Sequence, residues 1–204
     1  MPRLPYSGIF AIGLSCLSLA GCTSLLATAS GPGPVDKPSY DRPLSQSLAD
    51  IEIENTSNID IYKADERFHD SNVNVISFYG TVLLTGQVAT ADLKAKAGNI
   101  CQQISGVTHV YNELTVAQPD YYLDRANDGL IATRVRSRLM FADGIPYARL
   151  KVVVDNGNVY LMGKISHTEA DHAVNLIKNI NGIVKIIKII DYVNDESTSK
   201  GKSS

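Results

Sequence analysis

The chain is predicted to fold as α+β: two tandem copies of one α-β-β-α-β unit, each with two helices packed on one face of a three-stranded mixed sheet. Three observations carry that prediction. First, "NVNVISFYGTVLLTGQV" (72–88) aligns with "RLKVVVDNGNVYLMGKI" (149–165) at a constant offset of 77, and "ISGVTHVYNEL" (104–114) answers "INGIVKIIKII" (180–190) at an offset of 76. Second, apolar residues alternate with a period of two on either side of a turn in each copy, which is the pattern of a β-hairpin. Third, each hairpin is followed by apolar residues three and four apart, the stripe of an amphipathic helix.

Taken in order, the chain opens with Met1, Pro2 and Arg3, and then runs without charge from Gly8 to Gly21 through Ile9, Phe10, Ile12, Leu14, Leu17 and Leu19. A membrane-spanning helix needs roughly 20 apolar residues, and this run is shorter and ends in small residues, so residues 1–21 read as a secretory signal peptide. Leu19-Ala20-Gly21-Cys22 resembles the lipobox of bacterial lipoproteins, in which cleavage precedes a cysteine that is then acylated. Each buried methylene contributes about 0.8 kcal/mol, so a multiply acylated Cys22 would tether the chain stably. By the same resemblance, Thr23 in place of an aspartate favours export to the outer membrane. Residues 22–45 are the lipidated N-terminus and an extended linker, because "SGPGPVDKPSYDRPLSQS" is rich in Pro, Gly and Ser with no apolar period.

Residues 46–118 form the first expected domain. Its leading helix, around Leu48 to Ile61, is expected to be short or irregular, because β-branched residues and "ENTSN" interrupt it. Val73, Val75, Val82 and Leu84 alternate around "SFYG" as a hairpin; Leu93, Ala97, Ile100 and Ile104 make a helix ended by Gly106; and Val107 to Val116 close the unit as a strand. Pro119 to Asp124, "PDYYLD", is a short joint in which Tyr121 and Tyr122 are placed to seal an interface, so a fixed arrangement of the two domains is expected.

The second domain, residues 124–193, begins with a helix capped by Asp128 and carrying Ile131, Val135 and Leu139 on one face. Val152, Val154, Val159 and Leu161 alternate around "DNG", where Asn156-Gly157 suits the positive φ angles of a tight hairpin turn. Thr168 and Asp171 start a helix of Ala170, Ala173, Ile177 and Ile180 that Gly182 stops, and Ile183 to Val193 form the last strand. Residues 194–204 are polar throughout and are expected to be disordered.

Composition narrows the chemistry. Without residues 1–21, 183 residues remain, with 18 Lys and Arg (19 minus Arg3) against 21 Asp and Glu, a net of −3, which argues against nucleic acid as the main partner. Beyond Cys22 the only thiol is Cys101, so neither a disulfide framework nor a cysteine metal site is available, and Cys101 reads as a small buried apolar residue. His69, His109, His167 and His172 are scattered, and the last two, five apart, would not share a helix face. No phosphate loop or nucleophile elbow is present, so no enzyme, metal or cofactor is expected.

"NGNVYLMGKI", "YGTVLLTGQV", "SGVTHVYNEL" and "ANDGLIATRVRSRL" resemble the tandem BON-domain lipoproteins over about residues 46–193, both repeats included. The resemblance implies a lipoprotein of the inner leaflet of the outer membrane, facing the periplasm. Such a protein supports envelope integrity, binds anionic phospholipid through its second BON domain, gathers at division sites and has no catalytic activity. The charge distribution gives a separate reason to look there. Residues 44–118 hold 4 basic and 9 acidic residues, net −5, whereas residues 124–193 hold 10 basic and 7 acidic, net +3. An anionic bilayer should attract the second domain and repel the first, each basic residue near the surface contributing about 1 kcal/mol. Carried across from the family, the lipid-binding positions are Leu130, Thr133, Arg134, Ser137 and Arg138; Arg136 lies largely on another side of the helix. This chain departs from relatives that have tryptophan where Leu130 stands, and an interfacial aromatic lost there should weaken insertion. The alternative reading is a periplasmic scaffold or adaptor that binds envelope proteins under envelope or osmotic stress.

Overall fold

The computed structural model describes residues 42–117 and 123–194. The signal peptide, Cys22, most of the linker, Tyr121 and Tyr122 of the joint, and the tail from residue 195 lie outside the described residues. The first unit runs α1 (Leu44–Ala64), β1 (Asn72–Phe78), β2 (Thr81–Val88), α2 (Ala91–Gln102), β3 (His109–Asn112) and β4 (Thr115–Val116). The second runs α3 (Leu123–Met140), β5 (Leu150–Asp155), β6 (Asn158–Ile165), α4 (His167–Ile177) and β7 (Lys185–Tyr192).

Each sheet is built on its second strand. β2 pairs antiparallel with β1, Val75 opposite Leu84, and parallel with β3 and β4 on its other side. β6 does the same with β5, Val152 opposite Leu161, and with β7, Leu161 opposite Lys188. The period-two pattern put Val73, Val75, Val82 and Leu84 on one face, and these residues pack against Ile53, Ile61, Leu93 and Ala97 of the two helices. In the second unit Val152, Val159 and Leu161 meet Ile131, Val135, Leu139, Ala173 and Ile177 in the same way.

The opposite faces of the two sheets are apolar as well. Phe78 and Leu83 from the first unit join Tyr160, Met162 and Ile189 from the second in one buried cluster, so the order of layers is helices, sheet, sheet, helices. Burial on both faces explains why the central strands β2 and β6 carry apolar residues at successive positions, Val82-Leu83-Leu84 and Val159-Tyr160-Leu161-Met162. Burial also pushes the Tyr160 hydroxyl up to about 12, with the Glu113 and Asp155 carboxylates adding to the effect.

Several local expectations need correction. The leading helix of the first unit is neither short nor irregular: α1 is 21 residues long. Its buried positions, Asp50, Ile53, Ser57 and Ile61, recur at three and four residues, so docking on the sheet outweighs the weak propensity of "ENTSN". Asp128 does not cap α3, which already starts at Leu123. α4 starts one residue before Thr168, at His167, with Ser166 as its N-cap: Ser166 and Glu169 form a capping box, with Ser166 Oγ accepting from Glu169 N and Glu169 Oε2 accepting from Ser166 N. Asp171 pairs with Lys188 at 2.9 Å instead. The expected strand 107–116 is broken, because Leu114 turns into the helix-side core while the Asn112 amide donates to Lys94 O at 2.7 Å. Cys101 is fully buried, and burial raises its thiol pKa.

Candidate membrane-binding surface

α3 carries the expected lipid-facing residues, and it is held to its sheet from two directions. Ile131, Val135 and Leu139 are completely buried along one side. One turn earlier Asp128, 9% exposed, accepts hydrogen bonds from the two central amides of the β5–β6 turn: Asn156 N to Oδ2 at 2.7 Å and Gly157 N to Oδ1 at 2.8 Å. Those two residues have φ of 49° and 71°, as a tight hairpin turn requires. The helix is therefore fixed in rotation about its axis, and the side opposite its core is fixed toward solvent.

What stands on that side is an apolar and cationic strip. Leu130 is 58% exposed, Arg134, Ser137 and Arg138 are exposed, and Phe141, just past the end of α3, is 84% exposed. At about 100° per residue, positions 130, 134, 137, 138 and 141 fall within an arc of about 100°. Ser137 O also accepts from Phe141 N at 3.3 Å, which keeps Phe141 in register with the helix. Arg134, Ser137, Arg138 and Phe141 line a shallow groove of about 780 Å³ whose far wall is Leu176 and Ile180, so the strip borders apolar surface of the neighbouring helix end.

The charges on this domain are not equally available. Arg149 is buried against Glu169, Lys164 pairs with Asp191, Lys188 pairs with Asp171, and Arg136 Nη2 donates to Val152 O at 3.0 Å. Arg134 and Arg138 make no ion pair among the described residues. The position of Arg136 away from the strip is as the helical spacing required. Thr133 is exposed, but its hydroxyl donates to Gly129 O at 2.9 Å, so it is satisfied by its own helix.

Among the described residues no group of three His, Cys, Asp or Glu side chains could hold a metal ion, and no helix is long and apolar enough to cross a membrane. His167 stacks on Tyr192 with ring centroids 3.6 Å apart, and His172 lies 3.3 Å from Asp143 O, so the two histidines serve different contacts.

The BON domain matches this chain twice, over residues 60–118 and 127–194. The chain belongs to the BON-domain family. Its relatives include the outer membrane lipoprotein DolP of Haemophilus influenzae, 36% identical over 125 residues, and the 21 kDa hemolysin of Actinobacillus pleuropneumoniae, 34% identical over 124 residues. Each match covers 61% of this chain and 64% of the relative, a little under two thirds of that protein's length. The C-terminal domain of CdsD, the structural protein of the type III secretion system of Chlamydia trachomatis, aligns over 71% of this chain and 67% of its own at 16% identity, with a TM-score of 0.29.

Within the second BON domain, Leu130, Arg134, Ser137 and Arg138 are brought together and Thr133 sits at their edge. Phe141 completes the strip and was missed from the sequence. Its signal was available: it lies eleven residues, about three helical turns, after Leu130 and three after Arg138.

Proposed function

We propose that this chain is a lipoprotein anchored through acylated Cys22 to the outer membrane and facing the periplasm, whose second BON domain binds anionic phospholipid and so supports outer-membrane integrity. The observation that carries the reading is the pairing, on one arc of α3, of two guanidiniums that have no acidic partner among the described residues, Arg134 and Arg138, with two exposed apolar side chains, Leu130 and Phe141. Guanidiniums bind phosphate oxygens in a planar fork, and apolar side chains on the same helix face can bury themselves at the boundary between headgroups and acyl chains. Arg134 and Arg138 engage phosphodiesters; Phe141 and Leu130 enter the acyl boundary. The similarity to a protein described as an outer membrane lipoprotein, together with "LAGC" at residues 19–22, supports the location. The tether supplies residence, so modest affinity at the strip suffices. Nothing in this reading requires catalysis.

The test is co-sedimentation of the chain from Thr23 onward with vesicles of phosphatidylglycerol and phosphatidylethanolamine, against vesicles of phosphatidylcholine alone. Binding to the anionic vesicles only, falling about thirtyfold in the Arg134→Gln, Arg138→Gln variant, is expected if each arginine contributes about 1 kcal/mol. Equal partition into both vesicles, or an unaffected variant, contradicts the proposal.

A further inference from the structure

The outer face of α1, in the first BON domain, is apolar although it lies opposite that helix's own core. Leu44, Leu48 and Ile51 are 75%, 58% and 51% exposed at spacings of four and three and form an apolar stripe along two turns; Ile59, 52% exposed, lies on the same side two turns further on, with exposed Asn55 between. The core positions Asp50, Ile53, Ser57 and Ile61 occupy the other side. A helix apolar on two opposite faces is expected to be covered on both. The second repeat supplies an internal control. Asp50 and Asp128 hold the same hairpin-turn amides, which aligns the two leading helices at an offset of 78 (128 minus 50). The stripe positions Leu48, Ile51 and Ile59 then correspond to Ala126, Gly129 and Ser137, which are small or polar, and only the first, Leu44, corresponds to a large residue, Tyr122. The stripe therefore belongs to the first domain alone and is not required by the fold.

Charge selects its occupant. Glu52 is exposed beside the stripe, Asp60 is exposed next to Ile59, Glu54 borders the stripe while accepting Ser77 N at 2.8 Å, and Lys63 is the one basic residue within α1. The domain as a whole is net −5 (4 basic, 9 acidic over residues 44–118). An anionic bilayer is repelled by that surface, and a second copy's α1 would set like charges together. We propose that the outer face of α1 is a docking surface for a partner protein presenting an amphipathic helix with an apolar stripe and basic flanks. This assignment stands independently of lipid binding by the second domain.

The experiment places a photo-cross-linking amino acid at Leu48 or Ile51 of the full lipidated chain in living cells, with Thr133 on the second domain as the comparison position. The expected result is one discrete protein adduct from both α1 positions and none from Thr133. Mass spectrometry should place the cross-link in a helix rich in Lys and Arg. Adding Glu52→Lys and Asp60→Lys, both on exposed side chains, should lower the adduct yield about tenfold while the thermal unfolding curve is unchanged. An adduct with a second copy of this chain, an adduct with phospholipid, an acidic cross-linked segment, or no adduct at all each overturns the assignment.

Discussion

Asp50 of the first BON domain and Asp128 of the second perform the same structural task with different surroundings. Asp50 Oδ2 accepts from Tyr79 N at 3.0 Å and Oδ1 from Gly80 N at 2.9 Å, as Asp128 does for Asn156 and Gly157. In the first domain the carboxylate also receives Ser77 Oγ at 2.7 Å and Arg42 Nη2 at 2.6 Å, and it holds the backbone of a bulky Tyr79 at φ 54°, a conformation that Asn156 adopts more easily. Two copies of one frame thus share a lock between leading helix and hairpin and diverge on the outer faces of those helices. α1 shows an apolar stripe with acidic neighbours; α3 shows two arginines between Leu130 and Phe141. The frame is kept by buried contacts, while exposed positions are free to take opposite charge.

The largest expected effect concerns what joins the two domains. Met162→Ala combined with Leu83→Ala empties the centre of the sheet–sheet cluster, at about 3 kcal/mol or more, and should split one calorimetric transition into two. A single unshifted transition would mean that the domains do not stabilise each other. Next, Asp50→Asn should cost about 3 kcal/mol in urea unfolding, because it leaves Arg42 and two turn amides short of a charged acceptor. Asp128→Asn, with no arginine to strand, should cost about 2 kcal/mol. Equal losses would show that the additional partners of Asp50 contribute nothing.

Asp50 should also make the stability of the protein depend on acid. Burial opposes ionisation of Asp50, but hydrogen bonds from Gly80, Ser77, Arg42 and Tyr79 outweigh it and hold the carboxyl below its ordinary 3.8. A folded-state pKa below the unfolded one stabilises fully above the unfolded value and loses that stabilisation as pH falls below 3.8 toward the folded value. Lowering the pH through that window should therefore reduce wild-type stability more than that of Asp50→Asn, read by circular dichroism; parallel acid profiles would remove Asp50 as a cause. The smallest effect is Leu130→Trp, which should tighten binding to anionic vesicles by roughly threefold to tenfold by adding an interfacial aromatic beside Phe141. Unchanged binding would place the contact surface away from Leu130.

Much of this is legible in the sequence. The repeat offset placed both units, the alternation at Val73, Val75, Val152 and Val154 assigned the inward faces, and "NG" at 156–157 marked the second turn, because strand periodicity and turn chemistry are local properties. The spacing of Arg134 and Arg138 likewise placed them together on one helix face. The length of α1 was not legible, because it depends on Asp50 meeting a hairpin turn nearly thirty residues away, and propensity does not register such contacts. The apolar stripe on α1 was hidden for a related reason: with apolar residues on two opposite faces, the helical period cancels in the sequence. Tertiary structure alone decided that the second faces of both sheets are covered by each other, and that Arg149, Lys164 and Lys188 are in ion pairs while Arg134 and Arg138 are in none among the described residues. The sequence determined which residue types the chain carries and their local spacing; burial and ion pairing, which require distant segments to meet, determined which of those residues are left for a partner.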